Sequence, residues 1–200
     1  MARASGGAVF ELLAVFVLVY ALQLVSAFAG LVGSLFVLSP PVSEHPWTVV
    51  TSIYAHDGLG HLVSNAIALL IFGWPVARAT TRFRFHLFVV VSGSLAGLTQ
   101  ILVTVVAGVL GASGAVFALL GYLLAGNRLS SSLASLVEIP TWLALTVFVI
   151  IAAVVTLATA SPGVALIAHF VGLMVGLLAG RIGVLNPRSR RRASPTSGVS

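Results

Sequence analysis

The chain has 200 residues, of which 59% are hydrophobic and 7% are charged, with a formal net charge of +6 and no cysteine. Globular proteins carry about 25% charged residues, and the strands of membrane barrels alternate apolar and polar positions. The composition therefore excludes a soluble enzyme, a disordered chain and a porin. The missing cysteines exclude disulfides, thiolate metal sites and cysteine nucleophiles. We expect an all-α, polytopic membrane protein.

Six apolar segments are candidates for membrane spans, each of which needs about 20 mostly apolar residues. They lack the period-two alternation of strands, so each is predicted to be a helix. In chain order the predicted spans are residues 12–38, 61–77, 85–107, 113–126, 140–158 and 163–180. A signal peptide cleaved after Ala29 is the alternative for the first segment, but the apolar run continues past that point.

The basic residues predict the orientation of these spans. All ten are arginines. They lie before span one, between spans two and three, between spans four and five, and after span six. The opposite connections carry none, so the positive-inside rule predicts that both termini are cytoplasmic. Because the arginines are dispersed among span ends and form no single basic surface, we do not expect a nucleic-acid partner.

The chain divides into three predicted parts. Residues 1–38 hold the N-terminus and the first span, residues 39–182 form the core, and residues 183–200 form a basic cytoplasmic tail predicted to be disordered and to lie on anionic lipid. The core begins with an outer connection, residues 39–60, which is longer than the usual limit of about 12–15 residues. Trp47 and Tyr54 suit the membrane interface, so this loop is predicted to sink partly into the outer leaflet.

Ser113 lies where Gly111-Ala112-Ser113-Gly114 turns into the fourth predicted span. That span has about 14 residues and covers roughly 21 Å of a hydrocarbon core about 30 Å thick, so its outer end is predicted to lie inside the bilayer. Ser113 would then occupy a helix N-terminus whose free N–H groups can bind an anion. Gly111 and Gly114 allow close backbone approach, although a small-residue patch for helix packing is the alternative.

His169 lies near the outer end of the sixth predicted span, and Gly172, Gly176 and Gly180 follow it on one helix face. These glycines let the helix press closely on a neighbour. A neutral imidazole in such a low-dielectric site suits a general base. The alternative is a histidine that bonds a carbonyl within the helix bundle.

His61 and Asn65 share a helix face at the outer end of the second predicted span. An imidazole beside an amide could donate hydrogen bonds to an oxyanion, and interhelical hydrogen bonding is the alternative. His56 and His61 raise the question of a metal site, to which Asp57 could add a carboxylate. Catalytic metals usually need three protein ligands, and no His-Glu-x-x-His pattern exists, so neither a metal nor another cofactor is expected. Gln100 is a further polar residue within a span.

These motifs together resemble the rhomboid family of intramembrane serine proteases. The resemblance covers roughly residues 40–182 and rests on three motifs in family order: His56-x4-His61-x3-Asn65, Gly111-Ala112-Ser113-Gly114, and Ala168-His169-x2-Gly172-x3-Gly176. It implies a bundle of six transmembrane helices in which a short central helix carries the serine. A cavity filled with water would open to the outer face.

The resemblance also implies roles for individual residues. Ser113 would be the nucleophile and His169 its base; no buried acid is available for a triad, so a dyad is expected. The implied oxyanion donors are His61, Asn65 and the N–H of Ser113. The implied supporting residues are Gly111, Gly114, Phe117 and His56.

Three positions depart from the family pattern. The first loop usually carries Trp-Arg, whereas this chain has Trp47-Thr48. The aromatic residue four positions after the serine is often Tyr, and here it is Phe117, which can pack on His169 but has no hydroxyl. An acidic residue commonly follows span two, and residues 73–77 contain none.

The implied function is hydrolysis of peptide bonds in or near transmembrane segments of single-span or polytopic membrane proteins. The implied location is the cell membrane, and the sequence leaves the oligomeric state open. An inactive relative that binds or escorts membrane clients is the main alternative. A transporter or channel is the other, but the sequence has no paired inverted repeat and no chain of carboxylates within its spans.

We predict that both termini are cytoplasmic and that residues 39–60 face outward. Reporter enzymes fused to the C-terminus test this, because one kind works only inside the cytoplasm and another only outside it. We expect activity from the first kind alone. Activity from the second kind alone would contradict the topology.

Overall fold

The structure of the chain is a computed structural model that describes residues 6–105, 108–126, 142, 143, 146, 150 and 165–185. Within these ranges the predicted all-helical fold is confirmed. The helices are α1 (Gly7–Ala27), α2 (Val32–Phe36), α3 (Thr48–Tyr54), α4 (Gly58–Ala79), α5 (Arg82–Val103), α6 (Ser113–Gly126) and α7 (Leu166–Ile182).

Three of these helices, α1, α4 and α5, are long and apolar enough to cross a membrane by length and composition. The shorter helices α6 and α7 have 14 and 17 residues and are also apolar. The fifth predicted span, residues 140–158, lies outside the described residues apart from Trp142, Leu143, Thr146 and Ile150, which are helical. The count of six spans therefore stays a prediction.

The bounds of α6 match the predicted fourth span, whereas the bounds of α4, α5 and α7 differ from the predicted ones by two to four residues. Local hydrogen bonding explains two of these differences. Thr81 caps the start of α5, where its Oγ1 accepts a hydrogen bond from the N–H of Arg84 at 3.4 Å. Gly183 ends α7 in the left-handed conformation at φ 66°.

The predicted end of the first span, at residue 38, is wrong. The helix α1 ends at Ala27, and the chain then turns at Gly30, whose φ is 67°. Glycine reaches this conformation without the steric cost that a Cβ brings. The short helix α2 follows, so residues 28–38 belong to the connection although they are largely apolar.

The connection between α1 and α4 is held by side chains that bond to backbone carbonyls. Trp47 Nε1 donates to the carbonyl of Ser34 at 2.8 Å, and Thr51 Oγ1 donates to the carbonyl of Leu35 at 2.6 Å. These bonds tie α3 to α2. The connection between α1 and α4 is thus ordered and partly helical.

The helix α1 begins at Gly7, five residues before the predicted start, and therefore includes Glu11. The two carboxylate oxygens of Glu11 lie 2.9 Å from the guanidinium of Arg82 and 2.9 Å from Nε2 of His86, both on α5. A charge within an apolar helix is costly unless it is paired. The contacts with α5 supply that pairing.

The helix α6 lies among α4, α5 and α7 and is buried along most of its length. Ala115, Val116, Ala118 and Leu119 are at most 4% exposed. Small residues on both α6 and α7 let the two helices meet at backbone distance, as the glycine pattern predicts. A Cβ built on Gly176 of α7 would overlap the carbonyl of Ala118 on α6.

Two backbone contacts fix the segment that leads into α6. Leu38 and Val109 form an isolated antiparallel bridge with two hydrogen bonds of 2.9 Å. Gly111 donates its N–H to the carbonyl of Ser52 at 2.8 Å. The start of α6 is therefore held by both the connection after α2 and the end of α3.

We predict that Gly176→Ala destabilises the protein by about 1–3 kcal/mol, the usual cost of overpacking, because the added methyl group meets a backbone carbonyl. Gly33→Ala is the matched control, since a Cβ there meets nothing within 4 Å. We expect its effect to stay within about 0.5 kcal/mol. Unfolding of the purified protein in detergent measures both. Equal stability of the two variants would contradict the close packing of α6 on α7.

Candidate active site

Ser113 is the first residue of α6 and is partly exposed. The first N–H groups of a helix have no partner within it, so those at Ser113 and the residues after it point toward whatever lies in front of the helix. Ser113 lines a pocket together with Ser52, Gly111 and Ala168. The pocket at Ser113 is thus also lined by residues of α3 and α7.

His169 lies in the first turn of α7 and is 8% exposed. Its ring stacks on that of Phe117, with centroids 4.2 Å apart and planes inclined by 15°. Phe117 is one helical turn after Ser113, and Gly172, three residues after His169, packs against the backbone of Gly114. These contacts bring the imidazole of His169 and Ser113 to neighbouring positions on facing helices.

Ser113 and His169 lie on two helices that contact each other, and their side chains form no hydrogen bond with each other in the described part of the chain. Nδ1 of His169 is buried and has no partner among the described residues. Catalytic hydrogen bonds are often long or misaligned before substrate binds and tighten in the complex. The arrangement therefore fits a resting site.

His61 presents one edge of its ring to the segment before α6. A Cβ built on Gly111 would lie 2.6 Å from Cε1 and 2.9 Å from Nε2 of His61, so only glycine leaves room for the ring. The φ of Gly111 is 127°, which also favours glycine. Nδ1 of His61 accepts the N–H of Asp57 at 3.4 Å, which favours the neutral form with its proton on Nε2. An N–H donor then points toward the start of α6.

Asn65 lies one turn after His61 on α4 and is 5% exposed. Its Nδ2 donates to the carbonyl of His61 at 3.0 Å, within the same helix. This bond uses one of the two amide N–H groups, and no described residue accepts the other. The second N–H is available to a ligand.

His56 is a buried neighbour of His61. It is 2% exposed, and the ring centroids of His56 and His61 are 5.3 Å apart at 76°. Nδ1 of His56 lies 3.1 Å from the carbonyl of Tyr54. Burial, and to a lesser extent the nearby His61, lower the pKa of His56 to about 4. His56 is therefore a neutral ring that supports His61 by contact.

The described residues contain no group of three His, Asp or Glu side chains that could hold a metal ion. His56 and His61 meet edge to face, and Asp57 contributes its backbone N–H to His61. This geometry makes the two histidines packing partners.

Two amide side chains near these residues had no predicted role. Gln100 on α5 accepts the N–H of Ala168 at 3.0 Å, and Thr104 Oγ1 accepts from Gln100 Nε2 at 2.9 Å. Gln100 thus caps the first turn of α7, directly beside His169. Gln23 on α1 bonds to the backbone of His56. In the sequence, the only feature that could have pointed to Gln100 or Gln23 is that each is a polar residue within an apolar segment.

A family model described as Rhomboid domain matches residues 43–186. The chain belongs to the rhomboid family. Rhomboid proteins are generally intramembrane serine proteases that act on membrane protein substrates, although some members are inactive. The match includes every candidate site residue and leaves α1 and α2 outside.

The structure accounts for one departure of this rhomboid protein from the family pattern. Thr48, where the family usually has Arg, is 1% exposed, and its hydroxyl donates to the carbonyl of His45 at 2.6 Å. The preceding Trp47 bonds to Ser34. Neutral hydrogen bonds therefore fasten the outer connection at this position without a charged side chain.

We predict that Phe117→Tyr keeps serine reactivity and that Phe117→Ala lowers it at least tenfold. The ring stacked on His169 holds the imidazole, and tyrosine preserves the ring whereas alanine removes it. The rate of labelling by a fluorophosphonate probe measures the effect. Equal labelling of the alanine variant would mean that Phe117 only fills space.

Proposed function

We propose that this chain is a serine endopeptidase that hydrolyses peptide bonds in or near transmembrane segments of membrane proteins. The observation that carries the proposal is the stacking of the His169 ring on Phe117, which lies one helical turn after Ser113, the first residue of α6. A hydroxyl and an imidazole on facing helices supply a nucleophile and a base. Membership in the rhomboid family supports the same chemistry.

The reaction proceeds in two steps. Nε2 of His169 takes the proton of Ser113 as Oγ attacks the carbonyl carbon of the scissile bond, and the resulting tetrahedral intermediate carries a negative oxygen. The intermediate collapses when the C–N bond breaks and the imidazolium gives its proton to the leaving amine. Water, deprotonated by the same imidazole, then hydrolyses the ester on Ser113 and restores the hydroxyl.

The negative oxygen of the intermediate is stabilised by donors that converge at residues 111–114. The N–H of Ser113 lies at a helix N-terminus, and Nε2 of His61 faces Gly111. The free N–H of Asn65 lies one turn further along the same face of α4. Fixed donors in a low-dielectric site stabilise charge more strongly than mobile water does.

The substrates are single-span or polytopic membrane proteins within the bilayer. A transmembrane helix hides its carbonyls in its own hydrogen bonds, so a cleavable segment must unwind locally. Substrates with small or helix-breaking residues near the outer face are therefore favoured. The proposed setting is the cell membrane, with the site open to the outer face.

The second candidate is an inactive rhomboid protein that binds or escorts membrane clients. Some members of the rhomboid family are inactive, although such a protein has no need of both Ser113 and His169. Cleavage of a model single-span substrate by the purified chain distinguishes the two candidates, with Ser113→Ala as control. Covalent labelling of Ser113 by a fluorophosphonate distinguishes them independently of any choice of substrate.

We predict a graded loss of cleavage across four variants. Ser113→Ala abolishes cleavage and labelling, and His169→Ala is nearly as severe because nucleophile and base act as a unit. Asn65→Ala loses about 10²–10³ in rate, the usual cost of one oxyanion donor. His61→Ala falls between these, since its ring also packs against His56.

Rates are measured beside thermal stability in detergent, so that loss of chemistry is separated from loss of fold. Each substitution removes a polar group from apolar surroundings, and we expect all four proteins to insert and fold. Cleavage by Ser113→Ala would overturn the proposed function. If Asn65→Ala is as inactive as Ser113→Ala and equally stable, Asn65 has a larger role in the reaction than donating one hydrogen bond to the oxyanion.

A further inference from the structure

Gln23 is a buried amide near the C-terminal end of α1, within an otherwise apolar stretch of that helix. It is 6% exposed, and both polar atoms of its side chain bond to one residue. Gln23 Oε1 accepts the N–H of His56 at 2.9 Å, and Gln23 Nε2 donates to the carbonyl of His56 at 3.3 Å. The amide therefore pairs with the backbone of His56 on both its donor and its acceptor side.

The same helix also holds the ring of His56. Phe16 lies seven residues before Gln23 and therefore on the same face of α1; its ring centroid is 4.9 Å from that of His56 at 62°. Since Nδ1 of His56 lies 3.1 Å from the carbonyl of Tyr54, the proton of the neutral ring is on Nδ1. The backbone and the ring of His56 are thus fixed by four contacts, three of them from α1.

His61 connects His56 to the proposed active site, because it contacts both His56 and Gly111. The two rings meet edge to face, and the far edge of His61 lies against Gly111, two residues before Ser113. A buried ring that shifts by a fraction of an ångström moves its packed neighbour, because the interior has few voids. A continuous line of contacts therefore runs from Gln23 to the start of α6.

We propose that Gln23 is a positioning residue that fixes His56 and, through it, orients the oxyanion donor His61. The inference deepens the proposed function and rests on it. It assigns a part of the site to α1, which lies outside the residues that match the rhomboid domain. It also explains why an apolar helix keeps a buried amide, since the removal of either bond would leave a backbone group of His56 unsatisfied.

The test uses the full chain in detergent and a single-span model substrate. Gln23→Met keeps the length of the side chain and removes both bonds, and we expect kcat to fall about tenfold with KM unchanged. This loss is smaller than the 10²–10³ expected when a donor is removed, because His61 is misplaced but present. Gln23→Asn, one methylene shorter, cannot reach both backbone atoms and is expected to behave similarly.

Ser26→Ala is the matched control in the same helix. Its hydroxyl bonds only within α1, to the carbonyl of Leu22 at 2.7 Å, so kcat is expected to stay unchanged. Leu12→Ala removes buried packing from α1 and shows what simple destabilisation does. Both are compared with Gln23→Met below the unfolding temperature of each protein.

A double-mutant cycle separates positioning from a general structural effect. If Gln23 acts through His61, Gln23→Met lowers kcat by less than twofold once His61→Ala is present. Labelling the histidines with ¹⁵N gives a second readout, in which Gln23→Met shifts the ring signals of His56 and His61 and leaves that of His86, bonded to Glu11, unchanged.

Each outcome has one meaning. An unchanged kcat with unchanged ring signals overturns the inference, as does a tenfold loss that persists in the His61→Ala background. Cleavage by Ser113→Ala, or no cleavage by the wild-type chain, overturns the proposed function instead. In that case, the ¹⁵N ring signals of His56 and His61 in Gln23→Met are the measurement that tests whether Gln23 orients the two rings.

Discussion

The contact between α6 and α7 at backbone distance is the constraint on which the rest of the candidate site depends. A Cβ on Gly172 would overlap the carbonyl of Gly114, and one on Gly176 would overlap that of Ala118. Lipid tails are as apolar as leucine, so helices in a bilayer associate through such close packing and gain little from the hydrophobic effect. The same contact lays the ring of His169 on Phe117.

The donor side of the site has a different origin. It depends on Gly111, which bonds to Ser52 and leaves space for the ring of His61. The two sides meet where α6 begins, within four residues of chain. The segment from Gly111 to Gly114 therefore contains a glycine with positive φ, the serine and the N-terminus of α6. The site is therefore a product of one helix start held by two independent sets of contacts.

The sequence predicts this segment well because local chemistry defines it. Small residues before Ser113 and the polar pair Asn127-Arg128 bound a short apolar run, and α6 has the bounds that this pattern predicts. The end of the first span was predicted eleven residues too late, because hydropathy records how apolar a segment is and not where it turns. The turn at Gly30 lies inside an apolar run.

Contacts between residues that are far apart in the sequence could not be predicted either. Gln23 and His56 are 33 residues apart, and Gln100 and Ala168 are 68 apart. No periodicity links such pairs, so the sequence marks each glutamine only as an unexpected polar residue in a span. The positions of Ser113 and His169 could be matched to a known motif, whereas the groups that hold their surroundings became visible only in the folded chain.

The fit of Gly176 around the carbonyl of Ala118 also determines how the bundle can move. A carbonyl seated in a notch blocks sliding along the helix axis, since any change of register drives backbone into backbone. Interiors packed in this way are not continuously deformable but switch between discrete arrangements. We therefore expect α6 and α7 to keep their register and to move together. If the chain acts as proposed, the displacement that admits a substrate helix occurs around this pair, and the spacing between the hydroxyl of Ser113 and the imidazole of His169 is preserved.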